Sequence, residues 1–200
     1  NFLIVAYREL RLLELEIIKA QFDTNRQLIV NLSDYFLVDV DQFYGIEYKE
    51  FPCQIAQVAM WLMDHQMNEI ASLQFGEYYK RIPLKKSATI VHGNALQVEW
   101  QSLIQATGEK FHFILGNPPF RGKQYQNAQQ KKDMVGVFGS VGSFGALDYV
   151  AAWFLKAARY LDVFNVVQDQ PPTTVGFVST NSITQGEQVA ILWGELLTRY

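Results

Sequence analysis

Cysteine is nearly missing from this chain: among 200 residues there is one, Cys53. That excludes an internal disulfide framework and any zinc cluster built on several thiolates. The three histidines are scattered and supply no compensating ligand spacing, so no metal site is expected. No run approaches the roughly 18 consecutive apolar residues of a membrane span. The apolar start Phe2 to Ala6 has no basic region before it and no cleavage signal after it. The chain reads as soluble and cytoplasmic, with no membrane partner. Basic charge is also short, since 17 Lys and Arg face 20 Asp and Glu for a formal charge of −3. A generic basic coat for nucleic acid is thereby excluded, although a local basic strip or a separate DNA-binding domain is not. What is plentiful is apolar surface: 49% hydrophobic and 14% aromatic residues suffice to bury the core of one ordinary domain.

Periodicity divides the chain into alternating elements. Phe2 to Ala6, then Leu10, Leu13 and Ile17, recur at helical spacing with Arg8, Glu9, Arg11, Glu14 and Glu16 on the other face. This predicts an amphipathic helix to about Lys19. Residues 31–41 read as a connection. Phe43 to Glu47 reads as a strand, followed by a helix carrying Ile55, Ala59, Leu62, Met63, Met67 and Ile70. Ala88 to Val91 and Phe111 to Leu115 are strand-like, and each stops in polar or Gly/Pro punctuation. The stretch from Arg121 to Gly145, polar and then interrupted by glycine, reads mostly as loop. Leu147 to Leu161 reads as a helix with Val150, Phe154, Ala157 and Leu161 on one stripe, and Val175 to Thr180 as a strand. Thr184-Gln185-Gly186-Glu187 matches a capping box before a helix from Val189 to Leu197. Strands separated by helices of this length imply an α/β fold with a mostly parallel sheet and flanking helices. No linker long enough to divide two domains is evident.

In such sheets ligands sit at the carboxyl ends of strands, where this chain places Glu47, Asn94, Asn117 and Asn181. The most specific feature is Asn117-Pro118-Pro119-Phe120, directly after a strand. Two prolines fix φ and remove two backbone donors, so the ladder must stop. An amide oxygen and a backbone carbonyl side by side suit a planar amino group with two hydrogens to donate, and the adjacent aromatic offers a stacking face. The plainer alternative is a Pro-rich turn with Asn117 bonded to its own backbone. An acid closing a strand, here Glu47, is the usual partner of two ribose hydroxyls.

Asn117-Pro118-Pro119-Phe120 resembles the catalytic motif of class I S-adenosylmethionine-dependent adenine-N6 DNA methyltransferases. Gly45-Ile46-Glu47 resembles that family's ribose motif, Gly93-Asn94-Ala95-Leu96 its adenine-contacting motif, and Asn1-Phe2-Leu3 the tail of its glycine loop. Leu147 to Trp153 and Phe177 to Val189 resemble the methyltransferase domain of the MmeI-like, type IIL restriction-modification enzymes, and the likeness covers nearly the whole chain. The resemblance implies a Rossmann-like fold, incomplete because the first central strand and the final strands are missing. Nuclease and target-recognition domains are then expected outside this chain, and the isolated fragment is expected to be inactive, to bind cofactor poorly and to leave strand edges exposed or paired with another copy.

The resemblance further implies S-adenosyl-L-methionine as cofactor, held by Phe2, Glu47, Tyr48, Asn94, Ala95 and Asn117, and double-stranded DNA as partner. Asn117, Pro118, Pro119 and Phe120 would be catalytic, with Asn117 Oδ1 and the Pro118 carbonyl as acceptors and Phe120 as the stacking face. Arg121 and Lys123, with Lys131 and Lys132 beyond, are candidates for DNA phosphate contact, or else belong to a solvated loop. His65, His112 and Cys53 read as ordinary packed or exposed side chains. Gly136 to Gly145 lacks the Walker lysine of a phosphate loop. Methylation of a protein glutamine or an RNA amino group uses the same acceptor geometry and is the main enzymatic alternative. Phe120, where protein-glutamine methyltransferases commonly carry Tyr, favours DNA. A non-catalytic module is a second alternative, and a nicotinamide dehydrogenase a weaker third, since no Tyr-x-x-x-Lys accompanies Glu47.

Overall fold

The computed structural model describes residues 1–25, 35–75, 86–104, 110–139, 141–164 and 171–200. They form two compact units, Asn1–Asn94 and Ala95–Tyr200, a division that the linker-free sequence did not suggest. Among the described residues no helix is long and apolar enough to cross a membrane.

The first unit comprises helix α1 (Phe2–Asn25), strand β1 (Tyr44–Glu47), helix α2 (Glu50–Phe75) and strand β2 (Thr89–His92). β1 and β2 pair in parallel with Tyr44 opposite Thr89 and Glu47 opposite His92. Helix α1 runs beyond the expected end at Lys19, and residues 31–34 of the expected connection lie outside the described residues. Before β1, the short 3-10 turn Val40–Gln42 is held by a reciprocal capping box between Asp39 and Gln42.

The buried face of α1 is not the one the apolar spacing predicts. Leu10, Leu13 and Ile17 are exposed, whereas Tyr7, Arg11, Glu14, Leu15 and Ile18 are buried. The polar members survive burial because each finds hydrogen-bond partners, only Arg11 Nε among the atoms of this cluster being left without one. Arg11 Nη1 donates to Glu14 Oε2 at 2.7 Å and Nη2 to Asn68 Oδ1 at 3.1 Å. Glu14 Oε1 accepts the amides of Leu37 and Val38, and Tyr7 Oη donates to Asp64 at 2.5 Å. Helix α2 departs from its expected stripe only in part: Ile55, Leu62 and Ile70 are exposed, but Met67 of that stripe is buried and Met63 packs against the core, beside the buried Cys53, Met60, Asp64, Asn68 and Ala71. Two helices that share polar partners present those partners to one another, and part of each apolar stripe read from spacing is left outside.

The second unit contains strand β3 (Phe113–Gly116), helices α3 (Ala128–Phe138) and α4 (Ala151–Phe164), strand β4 (Thr174–Phe177) and helix α5 (Gly194–Arg199). β3 and β4 are parallel, with Phe113 opposite Thr174 and Gly116 opposite Phe177. The described strands thus make two separate two-stranded sheets, both parallel as expected. Helix α3 corrects the reading of 121–145 as mostly loop. Asn127 and Gln130 form a capping box at its start, and Met134, Val137 and Phe138 bury one face. Two glutamines and two lysines in its first turns disguised it, since its core stripe occupies only the second half. Helix α4 starts at Ala151 rather than Leu147, and its buried side includes Leu155, Ala157 and Tyr160. The capping box expected at Thr184 is absent. Thr184 closes the 3-10 turn Asn181–Thr184, donating Oγ1 to Asn181 O at 2.8 Å, and a π-helical turn Val189–Trp193 leads into the short α5. Gly186, at φ +60°, makes the turn between them.

Candidate active site

Parallel strands put their carboxyl ends at the same side of a sheet, so each unit gathers its candidate residues at one sheet edge. In the second unit, Val178 N donates to Gly116 O at 2.9 Å as the chain leaves the paired strands. The next residues then turn away, because Pro118 and Pro119 have no amide proton to extend the ladder. Pro118 is buried, while Asn117 and Pro119 are exposed and Phe120 is 45% exposed. One proline thus anchors the turn in the unit and leaves an amide and an aromatic face accessible beside it. Gly116 permits close packing there: a Cβ on it would lie 3.2 Å from the Phe177 ring.

The chain beyond Phe120 is held by a group that sequence reasoning did not single out. Asp148, just before α4, accepts the Lys123 amide at 3.2 Å on Oδ1. Its Oδ2 accepts Ser182 Oγ at 2.7 Å and Gln188 Nε2 at 3.0 Å. Gln188 Oε1 in turn accepts the Asp148 amide at 3.1 Å, so one side-chain amide grips both backbone and carboxylate. Tyr149 N donates to Arg121 O at 2.8 Å, and Gln126 Nε2 to Leu147 O at 3.0 Å. Residues 121–126 are therefore tied to 147–149 and through them to 182–188. The signal available in sequence was an acid at the start of a helix. Its partners are 25 to 40 positions away.

The DNA candidates differ in their surroundings. Arg121 is exposed. Lys123 forms an ion pair with Glu187, with both side chains about half exposed, so a phosphate there competes with a carboxylate. Lys131 and Lys132 are exposed on α3.

In the first unit, Glu47 closes β1 beside His92, and Gly93 N donates to Glu47 O at 2.9 Å. Glu47 Oε1 accepts the Lys49 amide at 3.1 Å. A carboxylate offers about four acceptor sites, so one backbone donor leaves capacity for a vicinal diol. Tyr48 is 66% exposed and Phe2 43% exposed, and the Tyr48 carbonyl meets His92 Nε2 at 3.2 Å. Gly45 lets α1 approach β1, since a Cβ there would be 2.9 Å from Leu3 Cδ1. The structure thereby brings the first turn of α1 beside the strand that ends in Glu47. Asn94 is half-buried two residues past the β2 end at His92, and Ala95 opens the second unit with its carbonyl accepting Trp100 Nε1 at 2.9 Å.

Other polar candidates keep their plain roles. His65 lies on the exposed side of α2 near Glu69 and stacked on Trp61. Cys53 is buried and donates to the Ile90 carbonyl at 3.6 Å. A concavity of about 530 Å³ in the second unit is lined mainly by apolar residues of α4 and β4, among them Phe154, Leu161, Val175 and Phe177. None of the candidate residues lines it.

Comparison with known proteins bears on the whole of this arrangement. The chain is 40% identical over 200 residues to DNA methyltransferase A of Bacillus subtilis (strain 168), covering 98% of this chain and 21% of that protein. It is 49% identical to the type IIL restriction-modification enzyme MmeI, solved in complex with DNA, with a TM-score of 0.85 over 99% of this chain and 25% of that one. The chain thus spans about a fifth to a quarter of these relatives. The model of the MmeI DNA-methyltransferase domain matches residues 1–200, and the chain therefore belongs to the MmeI DNA-methyltransferase domain family.

Proposed function

We propose that this chain is the catalytic domain of an adenine-N6 DNA methyltransferase, with a Rossmann-like class I fold, inside a cytoplasmic restriction-modification protein. The observation that carries the reading is the Asn117-Pro118-Pro119-Phe120 turn at the end of a parallel strand, in a chain that matches a DNA-methyltransferase domain from end to end. The partners are double-stranded DNA and the remaining domains of the polypeptide, a nuclease and a target-recognition domain among them.

The residues present fit S-adenosyl-L-methionine. Glu47 has acceptor capacity for both ribose hydroxyls, Tyr48 and Phe2 are exposed aromatics, and Asn94 and Ala95 follow the neighbouring strand end. When bound, the cofactor supplies an electrophilic methyl group on a sulfonium. The chain's own work is electrostatic. Adenine's amino nitrogen is a weak nucleophile, because its lone pair is delocalised into the ring, and it gains positive charge as it attacks. Asn117 Oδ1 and the Pro118 carbonyl would accept hydrogen bonds from its two N–H groups and favour that charge by preorganised dipoles, without a strong base, the proton released on methylation passing to solvent. Phe120 stacks on the extruded base and offsets part of the unstacking cost, about a few kcal/mol. Arg121 and Lys123 contact the backbone of the DNA, Lys123 after leaving Glu187.

The test is methyl transfer from labelled S-adenosylmethionine to unmethylated duplex DNA by the whole protein, followed by digestion to nucleosides. N6-methyladenine is the expected product, and label found only in protein or RNA would replace DNA as the substrate. Asn117→Ala should lower the rate by about 10² or more while sparing cofactor affinity, as removal of one preorganised dipole does elsewhere.

A further inference from the structure

The segment between the β2 end and the 3-10 turn Trp100–Leu103 has no strand or helix to shape it, yet each of its residues is tied down. Ala95 O accepts Trp100 Nε1 at 2.9 Å. Leu96 O and Val98 O both accept Lys156 Nζ, at 2.9 and 2.6 Å. The side chain of Gln97 donates to Asp133 Oδ1 at 2.8 Å, and Asp133 is itself held by Gln129 and by Tyr149 Oη. Four consecutive residues are thus fastened to α3, α4 and the Trp100 indole.

Lys156 is the unusual member. Its ammonium reaches in from α4, bonds two main-chain carbonyls, and stands 5.4 Å from the centroid of the Trp100 ring. Burial lowers its pKa from the ordinary lysine value, and Glu99 opposes that only in part. A methionine of similar length would fill the same space without desolvating a charge. What methionine would lack is the pair of donors that closes the 95–98 turn. A lysine placed at that cost shapes the backbone it bonds, and that backbone begins at Ala95.

We propose that Lys156, with Trp100, is a positioning residue for cofactor binding: it holds 95–98 in the conformation that presents Ala95 to the adenine of S-adenosylmethionine. The inference rests on the functional reading above and adds to it two residues that touch neither cofactor nor DNA. A segment already ordered gives up less freedom on binding, so the effect falls on affinity and not on the chemical step.

The experiment measures S-adenosylmethionine affinity of the whole protein by calorimetry without DNA, beside methyl-transfer kinetics, for wild type, Lys156→Met, Lys156→Arg and Trp100→Phe. Lys156→Met should weaken the cofactor Kd and raise its KM by about tenfold, with kcat at saturating cofactor within about twofold, as lost preorganisation requires. Lys156→Arg should stay within about threefold of wild type, because guanidinium keeps the charge and can donate to two carbonyls. Trp100→Phe keeps an aromatic ring there but removes the five-membered ring with its N–H to Ala95 O, and should weaken Kd by roughly threefold, which tests the inference even if Lys156→Met does not fold. Variants that bind with wild-type affinity, or that lose kcat with Kd unchanged, would overturn it while leaving the functional reading intact. Wild-type protein that binds no S-adenosylmethionine would overturn both.

Discussion

Replacing Arg11 by methionine removes one guanidinium from the centre of the first unit and leaves its partners in place. Arg11 is 1% exposed and Glu14 8% exposed. The guanidinium bonds Glu14 at 2.7 Å, the Val38 carbonyl at 3.2 Å and Asn68 at 3.1 Å, and lies 4.0 Å over the Phe36 ring. Without it, the Glu14 carboxylate stays buried with the Leu37 and Val38 amides and no cation. Removing one partner of a buried ion pair costs about 3–5 kcal/mol. Each neutral acceptor that loses its donor adds about 1 kcal/mol, and the apolar packing of methionine offsets a similar amount. The expected loss is therefore about 3–5 kcal/mol. Urea denaturation followed by circular dichroism measures it, provided the m value is unchanged. A second substitution separates lost packing from stranded charge. Glu14→Gln removes the charge but keeps an oxygen for the Leu37 and Val38 amides, so Arg11→Met with Glu14→Gln should be more stable than Arg11→Met alone by about 1–3 kcal/mol. A single-variant loss below about 1 kcal/mol, or a double variant less stable than the single, would refute the account of charge burial.

Three further outcomes follow from contacts already described. Asp148→Asn sets an amide donor against either the Lys123 amide or Gln188 Nε2, so it should lower kcat by about tenfold with cofactor Kd unchanged, read by single-turnover methyl transfer and calorimetry. Gly45→Ala places a Cβ 2.9 Å from Leu3 Cδ1 and 3.0 Å from Ile90 Cδ1, and the forced shift should cost about 1–3 kcal/mol in thermal denaturation. Lys86, hydrogen-bonded to Asp39 and then Asp41, has its pKa raised above 10.5. Its contribution is full below the unfolded value and fades as pH rises through the raised folded value. Because the ammonium is half exposed, the loss should stay below about 1 kcal/mol. It should appear as a difference between wild type and Lys86→Met at neutral pH that closes as the pH rises through the raised folded value.

The sequence alone determined the features that depend on near neighbours. Four strands were placed within about three residues of their observed ends, because β-branched and aromatic runs bounded by Gly, Pro and Asn punctuation are local signals. The turn at Asn117 to Phe120 was legible for the same reason: two prolines end a strand wherever it stands. Glu47 and Asn94 at strand ends were legible too. Tertiary structure alone decided which faces are buried. Arg11 and Glu14 read as solvated positions by spacing, yet they lie in the core, because Asn68 and the Val38 carbonyl, 57 and 27 residues away, supply their partners. Helix α3 read as loop because its first turns are polar, and it stands because Phe138 and Val137 find a core formed with Leu147 and Leu155. Asp148 and Lys156 drew no notice, since an acid or a lysine at a helix is ordinary until the chain folds an amide or a carbonyl against it. Hydrophobic period is a property of a segment, whereas satisfaction of a buried charge is a property of a pair, and only the folded chain brings the pair together.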